Sequence, residues 1–463
     1  MQIRIQMIIE QQNQIITKEI ACINRLHLVP ETLGLTLKES KLITSKIQEN
    51  MVVPQIEEYI VNQRPCPCCG EVRPIKGYHS LKYRTLFGKV LIQSPRLYEC
   101  NCYTHEHNSF SPLARLLPER TSPELNYLES EWASLMSYVM TTKLLEEVLP
   151  LKIHHSSVRH NAQRTATRLE QELGEEQYMF ISGCQNDLRK LPNPGALLIV
   201  SIDGGYVHAR EGSNRKAGWF ETIVGKTIKE NKVTQRFGSV VNYDSKPKRR
   251  LYEVLRDQGL QMNQQITFLS DGGDTVQDLQ SYFSFNSEHL LDWFHVTMKL
   301  TVMQQMAKGV SIDDESLKVN EELDRIKWYL WHGNVYKALK VSDSLRSNLE
   351  VFCYQKKNNG YKLWKAADEF YEYINSNSHL IPNYGDRYRH GEAISSAIAE
   401  STVNELISKR MAKKQQMRWT KKGAHLLLQL RVKTLDKQLR PSFCKWYPHM
   451  AQEQQVPISS LAA

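Results

Sequence analysis

The apolar, β-branched run Leu198-Ile-Val-Ser-Ile ends in one carboxylate, Asp203, followed at once by Gly204 and Gly205. A short apolar run bounded by turn residues predicts a buried strand from Leu197 to Ile202. An ionised Asp at the end of such a strand is costly to leave without a partner. Two readings follow: a metal-binding or catalytic carboxylate, or a side chain that caps the next turn. The partners supplied by the rest of the chain decide between them.

At 463 residues the chain is too long for one ordinary core, so two to four domains are expected. Aliphatic runs such as Ala196-Leu-Leu-Ile-Val200 are far too short to span a bilayer. Met1-Gln-Ile-Arg-Ile-Gln-Met-Ile-Ile-Glu10 lacks the apolar core of a secretory peptide. The expectation is therefore a protein without membrane association, cytoplasmic and nucleoid-associated. Of the net charge of +10, the stretch from Ser401 to Arg440 carries nearly all: eleven Lys or Arg against Glu405 and Asp436, a net +9. A solvated helix face usually interleaves Glu with Lys, and here the acids are missing. Such a face suits a polyanion, most simply double-stranded DNA, with Lys409, Arg410, Lys413, Lys414, Arg418, Lys421 and Lys422 as contacts.

Five of the nine cysteines crowd between Cys66 and Cys102, which argues for metal rather than disulfides. Cys66-x-x-Cys69-Gly70 forms a knuckle that points two thiolates at one tetrahedral ion, and Cys100-x-Cys102 supplies a tighter second one. Between them, Tyr83 to Ile92 reads as a hairpin bent at Gly88. The pattern predicts a zinc ribbon over 65–118 with a structural Zn²⁺ on Cys66, Cys69, Cys100 and Cys102. Cys68, His105 and His107 remain alternative ligands. A closed set of four thiolates leaves no open position, so the role is docking rather than catalysis.

In chain order, residues 1–64 read as helical, with Thr36 and Glu39 as a capping box. Residues 119–182 read as short helices ending in one capped by Ser156 or Ser157. Arg159, Arg164 and Arg168 on its exposed side fit a helix-turn-helix-like DNA-binding region. Gly183 to Gly195 reads as a linker. From 195 to 296 the order is three strands, helix, strand, helix, strand, helix, which indicates a mixed sheet with helices on its faces. That order is similar to the ribonuclease-H-like one, whose first and fourth strands are neighbours, and it would bring Asp203 beside Asp271 of Asp271-Gly-Gly-Asp274. Two such carboxylates repel unless a cation sits between them, and oxygen ligands suit Mg²⁺ or Mn²⁺. An aromatic-rich helical insertion spans 297–390. A helix from Gly391 carries Glu400 and Glu405 into the basic segment within 391–440, and 441–463 is a tail. A Glu on this helix would complete a two-metal set; Glu400 is the first choice, with Glu405 and Glu392 as rivals.

Ser201-Ile-Asp-Gly-Gly, Leu269-Ser-Asp-Gly-Gly-Asp, Leu291-Asp-Trp-Phe-His, Glu400-Ser-Thr-Val-Asn, and Gln416-Met-Arg-Trp419 with Gly423-Ala-His-Leu-Leu-Leu-Gln-Leu-Arg431 together resemble insertion-sequence transposases of the ISKra type. The resemblance covers roughly 197–435. It implies a multidomain α+β/α/β chain: a ribonuclease-H-like mixed-sheet catalytic core with an all-helical insertion, preceded by the zinc ribbon and the helix-turn-helix-like region. It implies Asp203, Asp271 and Glu400 as ligands of two Mg²⁺ ions, with Asp292 and His295 as a (Cys/Asp)-x-x-His element orienting a metal ligand or the scissile phosphate. A buried Asp–His pair is the structural reading of those two residues, and Asp274 reads as an N-cap or a supporting group. The implied reaction is hydrolysis at transposon ends to expose 3′-hydroxyls, which then attack target DNA, by a homo-oligomer on DNA. Gly204 and Gly205 would let a DNA backbone approach closely. A ribonuclease-H-like DNA nuclease and a catalytically idle, transposase-derived DNA-binding regulator are the competing expectations.

Overall fold

The structure is a computed structural model. It describes residues 1–11, 14–27, 29–100, 102, 109–181, 185–188, 190–192, 197–210, 218–229, 233–273, 279, 287–309, 318–355, 360–395, 402–412 and 417–452. The expectations that fall on His105, His107, Asp274, Glu400, Lys413, Lys414 and the end of the tail lie outside the described residues. The chain divides into two compact units, Met1–Thr165 with Lys437–Ala463, and Ala166–Asp436. No helix among the described residues is long and apolar enough to cross a membrane.

The first unit opens with a hairpin, β1 (Gln2–Gln11) and β2 (Gln14–Asn24), paired antiparallel from Gln2↔Asn24 to Gln11↔Gln14. This corrects the helical reading of the first residues. Ile3, Ile5, Met7 and Ile9 alternate with polar neighbours at period two, and β-branched isoleucines favour a strand over a helix. Helix α1 (Leu37–Gln63) then starts at the expected capping box: Thr36 Oγ1 accepts from the Glu39 amide at 3.3 Å, and Glu39 accepts from the Thr36 amide at 2.9 Å. Arg25 ties hairpin to helix through two 2.7 Å bonds to Glu39, above a cluster of Ile20, Ile23 and Ile43. Strands β3 (Ile75–Thr85), β4 (Gly88–Tyr98) and β5 (Ser109–Phe110) form a three-stranded antiparallel sheet. The β3–β4 turn uses Gly88 at φ +133, which other residues rarely adopt.

Helices α2 (Pro112–Leu116), α3 (Pro123–Leu135), α4 (Tyr138–Val148) and α5 (His155–Glu172) follow. Helix α5 begins one residue before the expected serine caps, with His154 Nδ1 accepting the Ser156 amide at 3.3 Å. It meets α3 through buried polar pairs, Ser130 Oγ with Thr165 Oγ1 at 2.9 Å and Asn161 with Glu129. The region read as a tail is also corrected. Leu439–Trp446 is helical, Phe443 is fully buried with its ring 5.5 Å edge-on to Tyr127, and Arg440 forks onto Glu124 at 2.7 Å. An apolar Phe and a paired Arg belong to a packed surface, so Arg440 is not part of an open basic face.

The second unit holds a short helix α6 (Gln185–Leu188), then β6 (Leu198–His208), β7 (Trp219–Lys229), β8 (Gln235–Val240), α7 (Pro247–Asp257), β9 (Ile266–Ser270) and β10 (Ser287–Leu291). The sheet order is β10-β9-β6-β7-β8, with β9 and β10 parallel to β6 and β7 antiparallel to both of its neighbours, β6 and β8. The first and fourth strands are thus neighbours, as expected. Leu198, Val200 and Ile202 point to one face, where Leu251 and Leu255 of α7 cover them. Helices α8 (Trp293–Lys308), α9 (Val319–Trp331), α10 (Val335–Gln355), α11 (Tyr361–Ser376) and α12 (Tyr384–Arg389) gather around a separate apolar cluster that includes Leu300, Leu330, Leu349 and Phe370. Two further helices close the unit: a π-helix (Asn404–Ala412) and α13 (Lys421–Leu435), which packs on β8.

Candidate functional site

Three aspartates lie across three adjacent parallel strands. Ser201 pairs with Leu269, and Ser270 with Leu291. Carrying that registry forward aligns Asp203 with Asp271, and Asp271 with Asp292, whose amide donates to Ser270 O at 2.8 Å. The sequence expectation that Asp203 ends its strand is corrected: β6 runs on to His208, because β7 pairs with it along its whole length. What stops near Asp203 is the parallel partner β9, and the carboxylate sits at the fork where the two strands part.

Each acid is held by a local donor. Asp203 Oδ1 accepts its neighbour's amide, from Gly204, at 2.8 Å. Asp271 Oδ1 accepts from the Gly273 amide at 3.1 Å. Asp292 caps α8, with Oδ1 accepting from the Phe294 amide at 2.9 Å. His295, one turn into that helix, places Nε2 at 3.6 Å from Asp292 Oδ2 and 4.0 Å from Asp203 Oδ1. Asp292 is buried and His295 only partly so, with the imidazole between Asp292 and Asp203. Burial pushes the Asp203 carboxyl up, His295 opposes this, and the negative charges of Asp271 and Asp292 push it further up. Carboxylates crowded in this way favour a cation among them, and the oxygen donor set suits Mg²⁺ or Mn²⁺.

Asp203 shares a face of β6 with Gly205, and against that face lies the helical segment after residue 401. A Cβ on Gly205 would stand 2.7 Å from Ile407 Cδ1 and 3.3 Å from Val403 Cγ1. This corrects the reason expected for the glycine pair: Gly205 makes room for a helix, not for DNA. The two rivals of Glu400 are both engaged elsewhere. Glu405 accepts from Arg236 at 2.9 Å, and Glu392 from Arg387 at 2.8 Å.

Sequence reasoning missed the hydroxyls that the helical insertion brings to this edge. Tyr384 donates to Leu291 O at 2.7 Å. The Tyr373 hydroxyl is buried and has no hydrogen-bond partner among the described residues. Burial, then the charges of Asp271 and Asp292, raise its pKa. Nothing in the local pattern of α11 marks Tyr373; only its position in space does. A second cluster, Glu170, Asp244 and His425, has ligand-like spacing. There the buried Arg250 guanidinium already supplies the cation, at 2.9 Å from both Glu170 and Asp244, so this is an ion-pair cluster rather than a metal site.

In the first unit the Sγ atoms of Cys66, Cys69, Cys100 and Cys102 all lie within 4.8 Å of one another. Zn–S bonds of about 2.3 Å would put sulfurs roughly 3.8 Å apart, so the thiols converge on the scale of a tetrahedral site. Gly70, at φ +75, closes the first knuckle, with its amide donating to Cys66 O at 2.9 Å. The Cys69 amide, aided by that of Cys68, holds the Cys66 thiol down at about 6 against the effect of burial. Cys68 points out to solvent.

The expected DNA contacts separate into groups. Arg159, Lys409, Arg418, Lys421 and Lys422 are exposed. Arg164 pairs with Glu119 at 3.0 Å, and Arg168 lies 3.8 Å from Glu172. Arg410 is fully buried, its guanidinium over the Trp419 ring at 5.3 Å from the ring centre. Its assignment as a DNA contact is corrected, because a buried guanidinium under an indole cannot reach a phosphate.

No protein-family model matches this chain, and no curated protein matches it. Among solved structures it is similar to a Drosophila P element transposase strand transfer complex, at 12% sequence identity and a TM-score of 0.23, over 70% of this chain and 80% of that one. A likeness of that size carries no argument; the site rests on the strand registry and the side-chain geometry.

Proposed function

We propose that the second unit is a ribonuclease-H-like, metal-dependent polynucleotidyl transferase, and that the chain is a DNA transposase of the ISKra type. The carrying observation is the registered row Asp203–Asp271–Asp292 with His295 against it. Asp203, Asp271 and Glu400 would hold two Mg²⁺ ions. Support for Glu400 comes from its place three residues before Val403, which packs on the Asp203 face of β6, and from the engagement of both rival acids by arginines. When bound, the ions supply activation of the attacking oxygen and charge stabilisation at the leaving oxygen. Asp292 orients His295, which can donate a hydrogen bond to a phosphate oxygen or to Asp203. Lys409, Arg418, Lys421 and Lys422, with Lys413 and Lys414, would hold phosphates in place, while the zinc ribbon and α3–α5, through Arg159, would dock the ends of the element. The reaction is hydrolysis to a 3′-hydroxyl, followed by attack of that hydroxyl on a target phosphodiester.

Labelled element ends and a plasmid target, incubated with the full chain in Mg²⁺, test this. Asp203→Asn and Asp271→Asn should each abolish both cleavage and joined product while leaving DNA binding intact. Unchanged cutting by either variant sinks the assignment. Cleavage without any joined product would make the protein a nuclease on the same core.

A further inference from the structure

Past the C-terminal end of β6, a cavity of about 560 Å³ opens between the β6–β7 ladder and the start of α13. Its walls are Trp219, Phe220, Asn242 and Trp419, with Glu221 and Lys421 at the rim. Trp219 is 44% exposed and stacks on His208 with ring centres 4.0 Å apart. A large indole left half in water on a rigid strand is an unusual surface feature, and here a neighbouring ring fixes its plane. Trp419 is placed just as firmly. Its amide donates to His208 O at 2.8 Å, and its carbonyl accepts from the Arg210 amide at 2.9 Å, a single parallel bridge to Ala209 just past β6.

Two buried polar atoms in this corner have no hydrogen-bond partner among the described residues: Trp419 Nε1 and His208 Nδ1. Neither atom is open to the cavity, so what the cavity offers an occupant is its aromatic walls and the charge beside it. Exposed Arg418, Lys421 and Lys422 stand beside the same opening. A flat ring that stacks on Trp219 and carries phosphates toward Arg418, Lys421 and Lys422 is a nucleotide. We propose that this cavity receives the base of an unpaired nucleotide in a DNA strand, with the flanking phosphates on Arg418, Lys421 and Lys422. The inference rests on the nucleic-acid reading above but not on the reaction assigned to the acid row.

The test is binding alone, without divalent ions, using the full chain carrying Asp203→Asn so that cleavage plays no part. Three fluorescent duplexes serve as probes: one fully paired, one with a single unpaired nucleotide, and one with an abasic unit at that position. The unpaired base should tighten binding about tenfold over the abasic unit, the scale of one base stacking on an aromatic ring. Trp219→Ala should erase that preference and Trp219→Phe should keep most of it, with all three proteins binding the fully paired duplex alike. Equal weakening on every probe, or a preference that survives Trp219→Ala, overturns the proposal. So does displacement of the unpaired-base duplex by a free deoxynucleoside monophosphate at equal concentration, which would make the ligand a free nucleotide. Absence of binding to any duplex overturns this proposal together with the nucleic-acid reading, whereas lost cleavage alone touches only the reaction.

Discussion

The cysteine cluster of the first unit and the aspartate row of the second both gather charge-bearing ligands, but they are assembled in opposite ways. Each pair of thiols comes from one tight turn, and a single hairpin joins the two turns. Its geometry is local, and its backbone amides already favour the thiolate at Cys66. The aspartates come from three separate strands, 68 and 21 residues apart, and only parallel registry brings them into line. On the proposed reading the first site would be a fastening for its own fold, and the second a crowding of like charges on a sheet that other contacts hold together. Removing a ligand should therefore have opposite effects on stability in the two places.

The largest expected effect is at the cysteines. A structural zinc contributes on the order of 10 kcal/mol of apparent folding free energy, so Cys66→Ser with Cys69→Ser, or a strong chelator, should abolish the thermal transition of the first unit and leave that of the second. Calorimetry on the full chain reads both. A first-unit transition that persists without bound zinc would mean that the thiols are not a metal site, and the contrast would fail at its stronger end.

Arg250 supplies the next step, because there a protein cation does what an ion would do at the aspartates. It is buried among Glu170, Asp244, Gln429 and His425. Breaking a buried pair from one side costs about 3–5 kcal/mol, so Arg250→Met should lower the second unit's stability by that order. Burial would raise the Glu170 carboxyl, but hydrogen bonds from His425 and Arg250 overcome this and hold it at about 2. A carboxyl held low stabilises the fold above its unfolded value, about 4.3, and that contribution is lost as pH falls from there toward 2. Acid titration of the second unit should show this loss, and Glu170→Gln should flatten it. A titration that Glu170→Gln leaves unchanged would remove Glu170 from the cluster's energetics.

The smallest effect has the opposite sign. Asp203 is crowded by Asp271 and Asp292, so Asp203→Asn without divalent ions should stabilise the second unit by about 1 kcal/mol, the worth of one relieved like-charge contact near a protein surface. Mg²⁺ should then stabilise the parent protein more than the variant. Destabilisation by Asp203→Asn in metal-free buffer would show that the row is a structural network and erase the contrast with the cysteines.

Local chemistry explains which expectations held. The capping box of Thr36 and Glu39, the turn at Gly88 and the knuckle at Gly70 each depend on neighbouring residues, and each was legible; the neighbouring first and fourth strands of the second sheet were expected only from similarity to the ribonuclease-H-like order. The first residues were misread because their alternation was taken for a helix. Asp203 was misplaced at a strand end because its glycines look like a turn; antiparallel pairing with β7 keeps them extended, and Ile407 fills the space beside Gly205. The basic segment was legible as charge but not as surface. Arg410 lies buried against Trp419, and Arg440 belongs to the first unit, where it is paired with Glu124.

By itself, the sequence determined most of the elements, the thiol knuckles and the identity of the acids, because dihedral preference, turn chemistry and side-chain type act within a few residues. Only the tertiary structure decided that Asp203, Asp271 and Asp292 share one row, that Tyr373 reaches that edge, and that Trp219 and Trp419 line one cavity. These depend on strand registry and long-range packing, for which no residue carries a local signal.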